Sequence, residues 1–269
     1  MNDNRAPSPV TWFVFPMLLA AVAGGSLALL RSPLPPAAAA VVVMLATILA
    51  VLGLERAFPL HRAWNGRPEG LDVLLIVVNR LVDVAVTAAC LALVARMQGA
   101  GLRLWLLQAW PTGAPLLFQA LLGITVAEAI RYVIHRRSHA PGLLGRVHTT
   151  HHQPARMYAL NGPRLHPANQ LWVGAAHAVP MLLLGARVEA VVLTANLTAF
   201  FVLFQHANLR LRFDGWNRLL ATPDVHRMHH RREVPEGVNY GIVLLLFDRL
   251  FGTYRPAREV GVEDIGPAG

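Results

Sequence analysis

The chain has 269 residues, of which 55% are hydrophobic and only 14% are charged. This composition excludes an ordinary soluble domain and predicts an integral membrane protein. The net charge of +9 comes from arginine alone, since the sequence contains no lysine. The arginines are spread along the chain rather than interleaved with aromatic residues, so no nucleic-acid partner is expected. A single cysteine, Cys90, excludes an intrachain disulfide and a multi-cysteine metal site.

Four apolar segments of membrane-spanning length precede the first histidine-rich stretch, and polar or Pro/Gly-containing breaks separate them. The first segment has no clear small-residue cleavage site at its end, so we expect a retained helix rather than a signal peptide. The segments cover residues 9–30, 36–54, 71–94 and 115–134.

A further apolar block covers residues 168–204 and is interrupted near residues 185–189. This pattern predicts a helical hairpin that dips into or crosses the membrane. Placing the N-terminus inside puts most loop arginines on the cytoplasmic side, as positive-inside topology requires. We therefore predict an all-α integral membrane protein with about four transmembrane helices, a helical hairpin and a cytoplasmic histidine-rich helical cap.

Eight of the twelve histidines fall into three tight clusters. The frame H-x-x-H-H is expected by chance roughly 0.02 times in a chain of this composition, yet it occurs twice here. Spacings of three and four place the rings on one face of a helix, where they can converge on a metal ion. The clusters are His135 and His139; His148, His151 and His152; and His226, His229 and His230.

Eight imidazoles exceed what one ion accepts, since zinc takes about four ligands, so two metal ions are expected. Imidazole suits iron, zinc, copper and nickel alike, and ligand type alone does not choose among them. Only Glu128 lies near the first cluster, which differs from a carboxylate-rich ferritin-like site. Asp224 and Glu233 flank the last cluster and either orient imidazole N–H groups or are solvated loop charges.

These residues resemble the fatty acid hydroxylase/sterol desaturase superfamily of membrane di-iron oxygenases. The three clusters look like the H-x₃-H, H-x₂-H-H and H-x₂-H-H series of that family, and the resemblance covers about residues 130–256. The matching sequences are HRRSH at 135–139, HTTHH at 148–152, HRMHH at 226–230, RLHP at 164–167, FQHAN at 204–208, and NYGIVLLLFDRLFGTYRP at 239–256.

The resemblance implies two iron ions, O₂ as co-substrate, an external electron donor and oxidation of a lipid C–H bond to an alcohol or a double bond. Such a step is beyond any amino-acid side chain, so a bound metal must carry it. The eight clustered histidines are implied as ligands, His206 as a ninth and His166 as a further candidate. The implied organisation is transmembrane helices in 1–114, a fatty acid hydroxylase-like catalytic region in 115–256, and a flexible polar tail in 257–269.

The implied partners are a membrane lipid, sterol-like, fatty acyl or ether-linked, and an electron-transfer protein or reductase. The composition is compatible with a bacterial inner membrane, with the active site on the cytoplasmic side. A metal transporter is the alternative, but it predicts ligands inside the spanning helices. A haem protein would explain two or four histidines, not eight. The sequence does not distinguish hydroxylation from desaturation, and it does not indicate the oligomeric state.

Other polar residues have simpler interpretations. Asn161 and Asn208 either cap loops, which we favour, or form hydrogen bonds to a ligand histidine or to bound water. His177 has no partner at a ligand spacing, and His61 is interpreted as a loop residue. Four arginines flank the clusters and either bind lipid phosphate or an acidic electron donor, or follow from positive-inside topology: Arg136, Arg137, Arg231 and Arg232. Asp248 and Arg249 in the closing segment are interpreted as structural charges, with a docking role as the alternative.

Overall fold

The computed structural model describes residues 8–99, 108–232 and 238–266, and within these ranges the regular structure is entirely helical, apart from isolated β-bridges. Short 3₁₀ turns connect the α-helices. The helices are α1 Val14–Leu30, α2 Pro36–Ala57, α3 Gly70–Gly99, α4 Leu116–Ser138, α5 Leu143–His152, α6 Pro167–Leu183, α7 Val188–His206, α8 Pro223–His229 and α9 Leu246–Leu250.

Five helical segments are long and apolar enough to cross a membrane. Four of them are α1 with its preceding 3₁₀ turn, α2, α3 and α4, which confirms the predicted N-terminal spans. The fifth is α7, the second limb of the predicted hairpin. The first limb, α6, has 17 residues, fewer than the roughly 20 that a typical bilayer core requires. The prediction of an all-α integral membrane protein is confirmed.

Helix α2 shows how these apolar segments divide between protein and lipid. Its buried side chains recur at every fourth residue from Ala39 to Glu55, which forms one stripe along the helix. That stripe faces α1 and α7. The opposite face carries exposed leucines such as Leu45 and Leu49. A helix that is apolar all round has the composition expected of a lipid-facing span.

Helix α7 is the central element of the bundle, because it packs against α1, α2, α4 and α6. Phe15 of α1 stacks on Phe204, with ring centroids 5.1 Å apart. The amide of Asn196 donates to Ser26 Oγ at 3.1 Å, which joins the same two helices through a buried polar contact. These contacts fix the C-terminal end of α7, where His206 lies.

The histidine-rich elements meet at one end of this bundle. Helix α4 ends at Ser138, and a short turn containing Gly142, at φ 138°, leads into α5. Helix α5 packs against α4 and α6, and α8 packs against α7. The C-terminal ends of α4 and α7 are thereby brought beside two short helices that carry the H-x-x-H-H motifs.

The segment after Arg255 differs from the flexible tail predicted for residues 257–269. Val260 and Ile265 are buried, and they cluster with Trp64 and Met228. The carbonyl of Ile265 also accepts a hydrogen bond from the Arg232 guanidinium at 2.8 Å. Val260, Val262 and Ile265 are too few and too irregularly spaced in a polar sequence to give a periodic signal, which is why composition indicated a loose tail. Residues 267–269 lie outside the described part of the chain.

Candidate metal centre

Nine histidines gather into two groups in which the candidate ligand nitrogens lie within 4.8 Å of one another. They include all eight clustered histidines and His206. The ligands come from α4 and the residue after it, α5, α7, and α8 and the residue after it. Group A consists of His135, His139, His148, His152 and His229, and group B consists of His151, His206, His226 and His230.

Each H-x-x-H-H motif supplies both groups. In α5, His148 and His152 belong to group A, whereas His151 belongs to group B. In the second motif, His229 belongs to group A, and its neighbours at 226 and 230 belong to group B. Both motifs therefore lie across the boundary between two sites, an arrangement suited to two adjacent metal ions.

The two groups are in direct contact. The rings of His152 and His230 are stacked with centroids 4.3 Å apart. The rings of His226 and His229 are also stacked, at 5.1 Å. Ligands of one group thus pack against ligands of the other, so the site is a single dinuclear candidate rather than two separate mononuclear ones.

Protein oxygens set the orientation of three imidazoles in group A. A carbonyl or amide oxygen can only accept a hydrogen bond, so the facing Nδ1 carries the proton and Nε2 of a neutral ring keeps a lone pair. The pairs are His135 with the Tyr240 carbonyl at 2.7 Å, His148 with Asn169 Oδ1 at 3.0 Å, and His229 with the Val238 carbonyl at 2.7 Å.

The Nε2 atoms of group A are placed to bind a cation. Within the described residues, Nε2 of His135, His139 and His229 is buried without a hydrogen-bond partner. Burying a polar atom without a partner costs about 1–3 kcal/mol. Three such atoms directed into one space fit a metal ion that would take up their lone pairs.

Group B has the spacing of a ligand shell. His206 Nδ1 donates to the Val202 carbonyl at 2.8 Å, so its Nε2 faces the other rings. That Nε2 lies 3.2, 3.0 and 3.2 Å from the Nε2 atoms of His151, His226 and His230. Nitrogens bound at about 2.0–2.1 Å to one ion lie roughly 3 Å apart. Proton sharing cannot satisfy four nitrogens crowded in this way, whereas a shared cation can.

Burial keeps these imidazoles in the neutral, metal-binding form. Beyond the end of α4, burial lowers the pKa of His139 to about 3, with a further contribution from His135. Six other histidines have pKa values well below 6.5. Burial is the larger cause, and repulsion between neighbouring histidines is the smaller one. The six are His148, His151, His152, His226, His229 and His230. A neutral ring offers a lone pair at physiological pH.

A glycine allows the loop before α6 to approach this site. A Cβ on Gly162 would lie 2.0 Å from the Val202 carbonyl oxygen. That carbonyl is the hydrogen-bond acceptor of His206 Nδ1. Only glycine permits the close approach, and a larger residue would displace the group that orients the ligand.

Asp248 holds the loop that carries the acceptor of His135. Its two carboxylate oxygens accept from the backbone N–H groups of Tyr240 and Gly241, each at 2.8 Å. It also accepts from the Thr253 hydroxyl at 2.7 Å. The Tyr240 carbonyl is thereby fixed towards His135. Asp248 is structural, as the sequence suggested, but its effect reaches a candidate ligand.

Glu128 also binds the closing segment rather than a metal. Its carboxylate accepts hydrogen bonds from the backbone N–H groups of Ile242 and Val243. The side chain is buried and joins α4 to the segment that follows α8. The position of Glu128 therefore agrees with the prediction that the site differs from a carboxylate-rich di-iron site.

His166 joins neither histidine group, which corrects its prediction as a candidate ligand. It is exposed at the N-cap of α6, where its Nδ1 accepts a hydrogen bond from the Ala168 backbone N–H at 3.1 Å. The turn that starts α6 directs the ring into this capping contact. Asp224 pairs with Arg227 rather than with an imidazole. Glu233 lies outside the described residues.

The two asparagines that the sequence singled out hold loops. Asn161 accepts from the Tyr158 N–H and donates to Asp72. Asn208 exchanges hydrogen bonds with the backbone of His61. Sequence reasoning missed Asn169, which does bond to the candidate ligand His148, because one asparagine in the first turn of a helix carries no distinguishing pattern.

Comparison with known proteins agrees with this geometry. The fatty acid hydroxylase family model matches residues 120–253. The ornithine lipid hydroxylase OlsE of Rhizobium tropici is 29% identical over 100% of this chain and 82% of its own length. Methylsterol monooxygenase 2-2 of Arabidopsis thaliana is 27% identical over 53% of this chain and 54% of its own length. Human alkylglycerol monooxygenase is 28% identical over 53% of this chain and 31% of its own length.

The chain thus spans most of one relative and about half or less of the other two. No solved structure matches it. The matched region contains α5, α8 and all nine histidines of groups A and B. The family match and the buried histidine groups therefore coincide in the same part of the sequence. The chain belongs to the fatty acid hydroxylase family.

Proposed function

We propose that this O₂-using membrane oxidoreductase binds two iron ions, one in each histidine group, and hydroxylates or desaturates a C–H bond of a membrane lipid. The observation that carries the proposal is the gathering of nine histidines, seven of them buried and two half-buried, into two touching groups at one end of a bundle of apolar helices. Compact groups at the helix ends do not form a path across the bundle, which disfavours the metal-transporter alternative.

The protein residues prepare the site in three ways. Groups A and B would hold the metal through imidazole nitrogens, and iron would supply the O₂ activation that no side chain provides. The carbonyls of Tyr240, Val238 and Val202 fix the ring orientation through Nδ1. Burial of the histidines excludes bulk water from the reacting space.

The reaction needs electrons from outside the chain. In hydroxylation, one oxygen atom of O₂ enters the C–H bond and the other leaves as water, which consumes two electrons and two protons. Desaturation consumes the same electrons and protons and releases two waters. We infer a separate electron-transfer protein or reductase, and a bacterial inner membrane with the histidines on its cytoplasmic side, because positive-inside topology favours this orientation.

Lipid mass spectrometry tests the reaction. Host cells would express the wild type, the His151→Ala variant, or His166→Ala as a matched control outside both groups. The first lipids to compare are ornithine lipids, methylsterols and alkylglycerols, because these compounds appear in the names of the relatives. A lipid that gains one oxygen, or loses two hydrogens, with the wild type and the control but not with His151→Ala supports the proposal.

Metal analysis tests the centre independently of turnover. Purified protein should contain two iron ions per chain and show no haem Soret band. Protein that retains no iron after anaerobic loading would contradict the di-iron assignment. Metal uptake by proteoliposomes, without any lipid oxidation, would favour the transporter instead.

A further inference from the structure

Arg131 lies on α4, one helical turn before His135. This position is about 6 Å further into the bundle than that of His135. It is 6% exposed, although it belongs to a segment apolar enough to span a membrane. A buried charge at such a position is costly and indicates a functional role. It is therefore the most unusual charged group close to the metal centre.

Its hydrogen-bond donors find no acceptor in the part of the chain that the structure describes. Among the described residues, Arg131 forms no hydrogen bond or ion pair, and its Nε is shielded without a partner. Other buried arginines are paired: Arg164 donates to Asp72 at 2.8 Å, and Arg227 pairs with Asp224. A guanidinium presents five N–H donors in a planar fork. An acceptor from outside the protein would complete this site.

The two acids near Arg131 are already used by other groups. Asp83 of α3 pairs with Arg80 and accepts from the Gln170 side-chain amide at 2.6 Å. Glu128 accepts the two backbone N–H groups of the closing segment. Both influence Arg131 electrostatically from beyond ion-pair distance. They offset part of its charge and leave its N–H donors available.

His177 adds an unpaired acceptor to the same layer. It lies on α6 within electrostatic range of Arg131. Its Nε2 is 3.2 Å from the Val191 carbonyl, so Nε2 carries the proton and Nδ1 keeps a lone pair. That Nδ1 is buried without a hydrogen-bond partner among the described residues. The layer thus offers both an anion-binding fork and an acceptor for an N–H group.

We propose that Arg131 binds the carboxylate of the lipid substrate, a lipid with an acidic polar head such as an N-acyl amino acid. The inference rests on the proposed function, because it treats the layer beside the metal centre as part of the substrate site. A guanidinium matches the two oxygens of a carboxylate. The neighbouring acids disfavour a dianionic phosphate monoester. Carbon atoms close to the head group, rather than the distal tail, then lie beside the histidines.

Ligand binding tests this inference without turnover. The probes are N-palmitoylglycine and its methyl ester, titrated into metal-loaded protein in detergent by isothermal calorimetry. Wild type should bind the acid about 10- to 100-fold more tightly than the ester, the difference expected from hydrogen bonds to a charged group. Arg131→Gln should lose this preference. Arg131→Lys should keep part of it, since it retains the charge without the fork.

Arg187→Gln is the matched control, because this arginine lies in the hairpin turn and its side chain is 70% exposed. It should bind both probes like the wild type. Equal binding of acid and ester by the wild type overturns the proposal, as does an undiminished preference in folded, metal-loaded Arg131→Gln. If Arg131→Gln does not fold, the proposal is still tested by the relative binding of acid and ester to the wild type and to Arg131→Lys.

The position of oxidation separates this inference from the proposed function. A carboxylate preference with no oxidation of any lipid would contradict the proposed function and leave Arg131 as a lipid-binding residue. Oxidation of lipids without a carboxylate preference would contradict the role of Arg131 alone. Tandem mass spectrometry of an oxidised acidic lipid should place the new oxygen or double bond near the carboxylate.

Discussion

Asn169 is the side chain through which α6 contacts the candidate metal centre. Its Oδ1 accepts the Nδ1 proton of His148 at 3.0 Å, and both side chains are buried. Replacing Asn169 with leucine keeps the number and branching of the side-chain heavy atoms but removes the acceptor. The Nδ1–H of His148 would then be buried without a partner, and the ring would lose the contact that directs Nε2 towards group A.

The size of this effect can be estimated in two ways. An unsatisfied buried donor costs about 1–3 kcal/mol. Loss of the outer hydrogen-bond partner of a ligand histidine typically weakens metal binding about 10- to 100-fold, which corresponds to about 1.4–2.8 kcal/mol. Because the two estimates agree, we expect Asn169→Leu to weaken metal binding in group A by about 10- to 100-fold.

The assay is iron retention against a graded series of chelator concentrations. Asn169→Asp is the rescue variant, because a carboxylate also accepts from His148 and should restore metal affinity. Asn196→Ala is the matched control. Asn196 is buried as well, but it donates to Ser26 and does not contact a histidine.

Two results would refute the reasoning. Iron retention by Asn169→Leu equal to that of the wild type would mean that the contact with His148 does not orient a ligand. Equal losses in Asn169→Leu, Asn169→Asp and Asn196→Ala would indicate general destabilisation of the bundle. The expected pattern is a loss that is confined to the leucine variant and reversed by aspartate.

Three further predictions follow from the described contacts. His206→Ala should lower the iron content measured by mass spectrometry by about one ion per chain, whereas His166→Ala should leave it unchanged. Equal losses of iron in the two variants would contradict the assignment of group B. Glu128→Gln should lower the free energy of unfolding by about 1–3 kcal/mol, because each carboxylate oxygen accepts a different backbone N–H and the amide nitrogen that replaces one of them cannot accept. Glu189→Gln, at a side chain that is 39% exposed, should change the free energy of unfolding by less than about 0.5 kcal/mol. Similar thermal shifts in the two variants would refute this. Gly162→Ala should lower iron retention, since its Cβ would lie 2.0 Å from a carbonyl oxygen, and an unchanged chelator titration would show that the loop moves aside freely.

The membrane-spanning segments could be predicted from sequence because the signal is additive along the chain. A run of about 20 apolar residues is sufficient to span a bilayer core, whatever its neighbours are. The predicted segments at 36–54 and 71–94 accordingly fall within Pro36–Ala57 and Gly70–Gly99. The helix ends were less well predicted, because charged residues such as Arg56 continue the helix beyond the apolar run.

His166 and His206 show where sequence reasoning ended. Each is a single histidine in a short motif, and no spacing distinguishes them. Packing of α7 in the centre of the bundle brings His206 beside group B, whereas the start of α6 turns His166 outward. Nothing local to either residue encodes this difference, since it depends on which helices contact one another.

The sequence by itself determined the helical class, the membrane-spanning segments and the presence of histidine clusters at metal-ligand spacing, because periodicity and spacing are local properties of the chain. Only the tertiary structure divided His148, His151 and His152 between two groups. It also decided that backbone carbonyls and Asn169 orient the rings, and that Arg131, one helical turn before His135, has no hydrogen-bond partner among the described residues. Spacing fixes the face of one helix, but a site is formed by several faces, and their arrangement depends on packing between distant segments.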